Sequence, residues 1–125
     1  MLSAIQSDLL KRMKPLDSSG GSEYCTSICF APDFAGFEGH FPGHPIVPAV
    51  CLLSLVELIG REIAGNQSLR ISDIISMKFK MPLMSNDIAA VKATATSAAD
   101  GSLVVNATVS KDATAWAAKI KIALK

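Results

Sequence analysis

Aromatic rings, charge and patterned cysteines are all scarce in this sequence. Only 6% of its 125 residues are aromatic and 18% are charged, and the three cysteines are Cys25, Cys29 and Cys51. Each scarcity excludes something. Twelve Lys and Arg against eleven Asp and Glu leave a formal net charge of +1, so no global field draws in nucleic acid or an anionic membrane, and neither is expected as a partner. Cys25 and Cys29 stand four apart in a segment read as a strand, roughly 13 Å between alpha carbons, which is too far for a disulfide. The cysteines read instead as small buried hydrophobes. No Cys/His cluster has zinc-site spacing, so no metal or cofactor is expected. No apolar run reaches the roughly 18 residues of a membrane-spanning helix. The segment Met1 to Met13 lacks a basic start ahead of its apolar residues, so it does not read as a secretory signal and a cytoplasmic location is expected.

What the chain has is aliphatic mass. Half of its residues are hydrophobic, chiefly Ala, Ile, Leu and Val, which excludes disorder and fits one domain over 1–125. Leu2, Ile5, Leu9 and Met13 recur at helical spacing ahead of Pro15, predicting a helix over 2–13. Residues 17–22 read as a loop and 23–30 as a strand. The block from Phe34 to Pro48 holds three Gly, three Pro, three Phe and both histidines. It cannot be regular structure, and its rings forbid a solvated linker. A helix is predicted over 48–64, with Pro48 in its first turn and Gly65-Asn66 as its stop. Between Ala49 and Ile59 its only polar residues are Ser54 and Glu57, so it should be buried nearly all round. Strands are expected over 71–80, 87–97, 103–110 and 114–124, with a tight hairpin at Asp100-Gly101 and another turn at Lys111-Asp112. In the last strand Ile120, Ile122 and Leu124 alternate with Lys119, Lys121 and Lys125, giving one buried and one basic face. The fold class is α+β, a curved antiparallel sheet wrapped around one long buried helix.

The segment from Phe37 to Pro48 sets a histidine in a rigid, nearly uncharged loop that runs into a helix N-terminus. Unpaired N–H groups there suit a carbonyl oxygen that becomes negative during reaction. A neutral histidine beside such a carbonyl is a suitable base for an alpha proton.

The run Gly39-His40-Phe41-Pro42-Gly43-x-Pro45-x-x-Pro48 resembles the signature of the hot-dog-fold beta-hydroxyacyl-ACP dehydratases of fatty-acid synthesis and their shorter relatives in aryl-polyene and polyketide clusters. Lys78-Phe79-Lys80-x-Pro82-Leu83 followed by Asp87 is similar to that family's strand and turn after the helix. The resemblance implies a hot-dog fold and a 3-hydroxyacyl thioester substrate carried on acyl carrier protein or CoA. It implies dehydration to a trans-2-enoyl thioester, with His40 removing the alpha proton and an acid on the central helix protonating the departing hydroxyl. Phe41, Gly43, Pro48, Ala49, Val50 and Phe79 would line the substrate path, and the helix N-terminal amides would polarise the thioester carbonyl. Two subunits would build each site, as a homodimer, a higher homo-oligomer or a heterodimer with another hot-dog subunit.

Four departures mark this chain. Fourteen residues beyond His40, where the family has Glu or Asp, stands Ser54. Ala49 replaces the motif's following glycine, and Ser85-Asn86 replaces the later Pro-Gly. The family's first motif is missing before Glu23. The acid is then Glu57, a water held by Ser54, or a group of a partner subunit. Glu57 also reads as half of an i,i+4 pair with Arg61 at the wet end of the helix. His44 reads as a surface or tunnel-rim residue and Cys51 as inert packing. Arg70, Lys78 and Lys80 read either as solvated surface or as a docking patch for an acidic carrier protein. Two other functions stay open: a non-catalytic acyl-thioester-binding or structural subunit, and an acyl thioesterase.

Overall fold

A computed structural model describes residues 3–18, 21–38, 45–112 and 115–125. Helix α1 spans Ala4–Arg12. The Ser3 side chain caps it by accepting the Gln6 N–H at 3.1 Å, and Lys11 and Arg12 sit at its negative C-terminal end. The short strand β1 (Asp17–Ser18) leads into β2 (Glu23–Cys29), and a single 3-10 turn follows at Ala35–Phe37. Helix α2 spans Ala49–Ala64. It stops at Gly65, whose φ of 64° is the left-handed cap that glycine adopts without strain. Strands β3 (Ile71–Phe79), β4 (Ile88–Ser97), β5 (Leu103–Asp112) and β6 (Ala115–Leu124) complete the chain.

The six strands form one antiparallel sheet in the order β1-β2-β4-β5-β6-β3. The β4–β5 hairpin turns at Gly101, with φ of 88°, and Asp100 Oδ1 accepts both the N–H and the hydroxyl of Ser102. Register fixes which side chains share a face. Val91, Ala93, Val105, Ala107, Val109, Ile120 and Ile122 point inward, and Leu52, Leu55, Val56 and Ile59 of α2 join them in the core. The helix lies close enough that a Cβ on Gly60 would collide with Leu124 Cδ1 and come within 3.0 Å of Val105 Cγ2. Small inward alanines and aliphatics allow that approach, so the expected sheet around a buried helix is the architecture found.

Three expectations change in detail. Cys29 is exposed and Cys25 half-buried, because the alternation of β2 turns Thr26 and Ile28 inward instead; only Cys51 is buried. The Glu57–Arg61 pair forms, but it is buried rather than wet, because α1 packs over that part of α2. Strand β5 runs two residues beyond its expected end, to Asp112. Lys111 and Asp112, expected as a turn, therefore belong to the strand, and residues 113–114 lie outside the described residues.

Candidate active site

The loop before α2 is held at both ends. On one side Phe30, Phe34 and Phe37 stack edge to face, with ring centroids 5.1 and 5.3 Å apart. Asp8 Oδ2 accepts the Ala35 N–H at 2.8 Å, and Arg12 lies over the Phe34 ring. A Cβ on Gly36 would strike Phe34 and the Cys51 sulfur, so this turn sits directly on the first turn of α2. On the other side the chain entering α2 runs antiparallel to the turn after β3. The Val47 N–H donates to Leu83 O at 2.7 Å, Ile46 bridges Met84, and the Ser85 N–H donates to Pro45 O.

That turn also explains a departure from the family pattern. Asn86 occupies the left-handed region with φ of 70°, which asparagine tolerates better than most residues. Its N–H donates to Phe30 O at 2.6 Å, while Asp87 Oδ2 accepts the Met84 N–H and lies 3.3 Å from Lys111 Nζ. The turn forms without Pro-Gly.

Between these supports opens a cavity of about 320 Å³, lined by Ile46, Val47, Ala49, Leu52, Phe79, Lys80, Met81, Pro82 and Leu83. Its walls are apolar apart from Lys80. The first turn of α2 forms part of it. Pro48 stands at the N-cap and has no side chain able to accept a hydrogen bond. The Cys51 and Leu52 N–H groups turn back to Pro48 O, whereas those of Ala49 and Val50 find no acceptor among the described residues. An uncapped helix start beside an apolar cavity can stabilise an oxygen that gains negative charge. Among the described residues no group of His, Cys, Asp and Glu could hold a metal ion.

The residues singled out from sequence do not all meet here. Ala49 and Phe79 line the cavity, with Phe79 half-exposed on β3, and Pro48 is the N-cap between the lining residues Val47 and Ala49. Val50 is 63% exposed on the first turn of α2, and Ser54 is half-buried one turn further on. Phe37 belongs to the core. His40, Phe41, Gly43 and His44 lie outside the described residues. Cys51 is sealed in the core, and burial pushes its thiol up from the ordinary value, consistent with packing.

Glu57 sits elsewhere. Its Oε1 accepts from Gln6 Nε2 at 2.8 Å and Arg61 Nη2 at 2.6 Å, and its Oε2 accepts the Ile71 N–H at 2.9 Å. Arg61 Nε donates in turn to Leu69 O. Ile71 opens β3 and Phe79 closes it, and six residue steps of β6 span that pairing from Leu124 to Ala118, so the Ile71 N–H bound by the carboxylate lies about 20 Å along the strand from the residue that reaches the cavity. Within one subunit Glu57 ties α2 to α1 and to β3, and it is not among the residues lining the pocket, standing about 7.5 Å of helix rise beyond Leu52. Gln6 and Ile71 were invisible as its partners from sequence, lying 51 and 14 positions away.

The basic residues divide as well. Arg70 precedes β3 and donates to the Gln67 and Leu69 carbonyls, so roughly 30 Å of strand separates it from Lys80. Lys78 and Lys80 stand at the cavity end of β3. Lys80 shares the Trp116 ring with Lys119, an arrangement that sequence reading missed because β3 and β6 pair across some forty residues.

The family model described as ApeI-like, ApeI dehydratase, matches residues 17–118. The chain is 29% identical over 85 residues to the 3-hydroxyacyl-(acyl-carrier-protein) dehydratase FabZ of Wolbachia sp. subsp. Drosophila simulans (strain wRi), covering 63% of this chain and 58% of that protein. It is 31% identical over 68 residues to the FabZ of Geobacter metallireducens, covering 48% of this chain and 45% of that one. The chain thus spans about half the length of the curated relatives it matches. Among solved structures, the dehydratase heterocomplex ApeI:P from Xenorhabdus doucetiae aligns with a TM-score of 0.74 at 20% identity, over 90% of this chain and 95% of that one. The E. coli PaaI protein from the phenylacetic acid degradation operon aligns at 0.70 with 13% identity, over 97% and 86%. These likenesses establish the hot-dog fold.

Proposed function

The chain belongs to the ApeI-like dehydratase family, and from that premise we propose that it removes water from a 3-hydroxyacyl thioester to give a trans-2-enoyl thioester. The observation that carries this reading is the uncapped first turn of α2 at the Phe79 cavity. The thioester carbonyl would accept from the Ala49 and Val50 N–H groups, with the acyl chain along Ile46, Leu52 and Leu83. His40, in the motif just ahead of Pro45, would take the alpha proton. The electron pair of that C–H bond forms the new double bond, and the hydroxyl leaves as water once it receives a proton.

The proton donor is where this chain departs from its family. Both Glu57 oxygens accept hydrogen bonds within a buried ion pair, so we assign that carboxylate to holding the fold. The donor is then a water held by Ser54, or a group from a second subunit. Strand β3 supports the latter. It is one of the two sheet edges, opposite the short β1, and Ile74, Ile75 and Phe79 along it are each about half exposed, which fits pairing with another hot-dog subunit, identical or different. Residues 1–125 would act as one hot-dog unit in that assembly, taking acyl carrier protein or CoA thioesters.

Hydration of an enoyl thioester, the reverse reaction, tests the proposal on the chain alone and mixed with a co-encoded hot-dog protein. Turnover in either setting that is lost in His40→Ala supports it, and turnover in neither overturns it. The second reading, a non-catalytic acyl-thioester binder, is favoured by Ser54 and predicts binding without turnover. Release of free thiol from an acyl thioester would instead mark a thioesterase.

A further inference from the structure

The open first turn of α2 does not stand free. The single turn Ala35–Phe37 presses on it from one side, with Gly36 so close to the Phe34 ring and the Cys51 sulfur that a Cβ would strike both. Cys51 belongs to the same turn of helix as Ala49 and Val50, and its own N–H returns to Pro48 O at 3.0 Å. Elements packed this closely pass a shift from one to the next. Whatever holds the Ala35–Phe37 turn therefore also holds the Ala49 and Val50 N–H groups in their direction.

That turn is held from outside. Phe34 stands at its N-cap and has no side-chain acceptor, so the Ala35 N–H must find one elsewhere. The acceptor comes from α1, 27 positions back, where Asp8 Oδ2 takes the Ala35 N–H at 2.8 Å. The other Asp8 oxygen accepts from Arg12 Nε at 3.0 Å, one helical turn on, which leaves the carboxylate little freedom to rotate away. Arg12 also reaches Asp33 Oδ1 at 3.0 Å and lies 5.9 Å from the Phe34 ring centroid. Asp33 is exposed, so its ion pair adds little, whereas the Asp8 and Arg12 side chains are each 19% exposed. Helix α1 is itself anchored, with Leu9 fully buried and the Lys14 N–H donating to Ser27 O of β2. Two residues of α1 thus serve the two ends of α2: Gln6 bonds Glu57, and Asp8 holds the turn against Cys51.

We propose that Asp8, backed by Arg12, is a positioning residue for the reaction: through the Ala35–Phe37 turn it keeps the open N–H groups of α2 aimed at the thioester oxygen. The proposal rests on the carbonyl role given to those groups above and adds the device that holds them. A misaimed donor loses most where charge has developed, so the loss falls on kcat rather than on KM.

Two readouts test it together: enoyl-thioester hydration, and the rate at which a thiol reagent modifies Cys51, followed by peptide mass so that Cys25 and Cys29 are counted apart. Asp8→Ala should lower kcat on the order of tenfold with KM nearly unchanged, and should speed Cys51 labelling several-fold in protein that melting shows to be folded. Asp8→Asn should keep most of the rate, because its amide oxygen still accepts the Ala35 N–H. Gln6→Ala, on the same helix but bonded at the other end of α2, should lose stability while leaving kcat and Cys51 labelling near wild type. If Asp8→Ala does not fold, Arg12→Gln, which removes the charge partner of Asp8, should shift both readouts the same way by less. In an active protein both shifts are required, and either without the other overturns the proposal, as does a Gln6→Ala protein that shows both. Wild type that turns over no thioester, alone or with a co-encoded hot-dog protein, fails the functional reading. The labelling contrast needs no turnover, and its absence fails this proposal alone.

Discussion

The two ends of α2 are built to opposite specifications. Toward its C-terminus every buried side-chain polar group is answered: Glu57, Arg61, Gln6, the Ile71 N–H and the Leu69 carbonyl form one closed set, and Gly65 caps the last turn. At its N-terminus Pro48 withholds a cap, and the first two N–H groups find no described acceptor beside an apolar cavity. Closed networks hold folds, and open donors await ligands. The difference is the ground on which we propose a structural role for Glu57 and a catalytic role for the open end.

Breaking one end should leave the other standing. The largest effect is expected at the open end. His40→Ala should lower enoyl-thioester hydration by about 10²–10⁴-fold, the usual contribution of a general base, with the urea midpoint unchanged. At the closed end, Glu57→Ala strands the Arg61 guanidinium, which is 2% exposed, and should cost about 3–5 kcal/mol of stability in urea denaturation. Next comes Gly60→Ala. Its new methyl meets Leu124 and Val105 midway along the helix, and overpacking of this kind costs about 1–3 kcal/mol. A Gly60→Ala protein of unchanged stability would mean that the helix rides higher over the sheet than described.

The smallest effect concerns Cys51, which shows that the open end is open on one side only. Alkylation should modify exposed Cys29 first and buried Cys51 last. Burial raises the Cys51 thiol in the folded state, so as pH climbs past the ordinary value of 9.0 the unfolded chain sheds a proton that the folded chain keeps. Stability should therefore fall with rising pH in that range, and Cys51→Ala should flatten that part of the curve. Fast labelling of Cys51 at neutral pH would contradict a sealed first turn.

Local pattern carried the fold a long way. Helical spacing, the Gly65 stop and the Asp100-Gly101 turn mark α1, α2 and the β4–β5 hairpin from neighbours alone, and the alternation in β6 anticipates its buried and basic faces. What escaped depends on pairing between distant segments. Cys29 faces outward because of how β2 registers on β4, and Glu57 is buried because α1 folds over α2. Lys119 and Trp116 joined Lys78 and Lys80 only once β6 lay beside β3. The histidine motif was legible as chemistry, yet the acid was not, because Ser54 breaks the family pattern and no local signal names a substitute.

Hydration measured side by side on wild type, His40→Ala and Glu57→Gln, each normalised to its folded fraction, tests the division of α2 most directly. Turnover lost in His40→Ala but kept by folded Glu57→Gln is the predicted result. Folded Glu57→Gln as inactive as His40→Ala would make Glu57 the acid and contradict it.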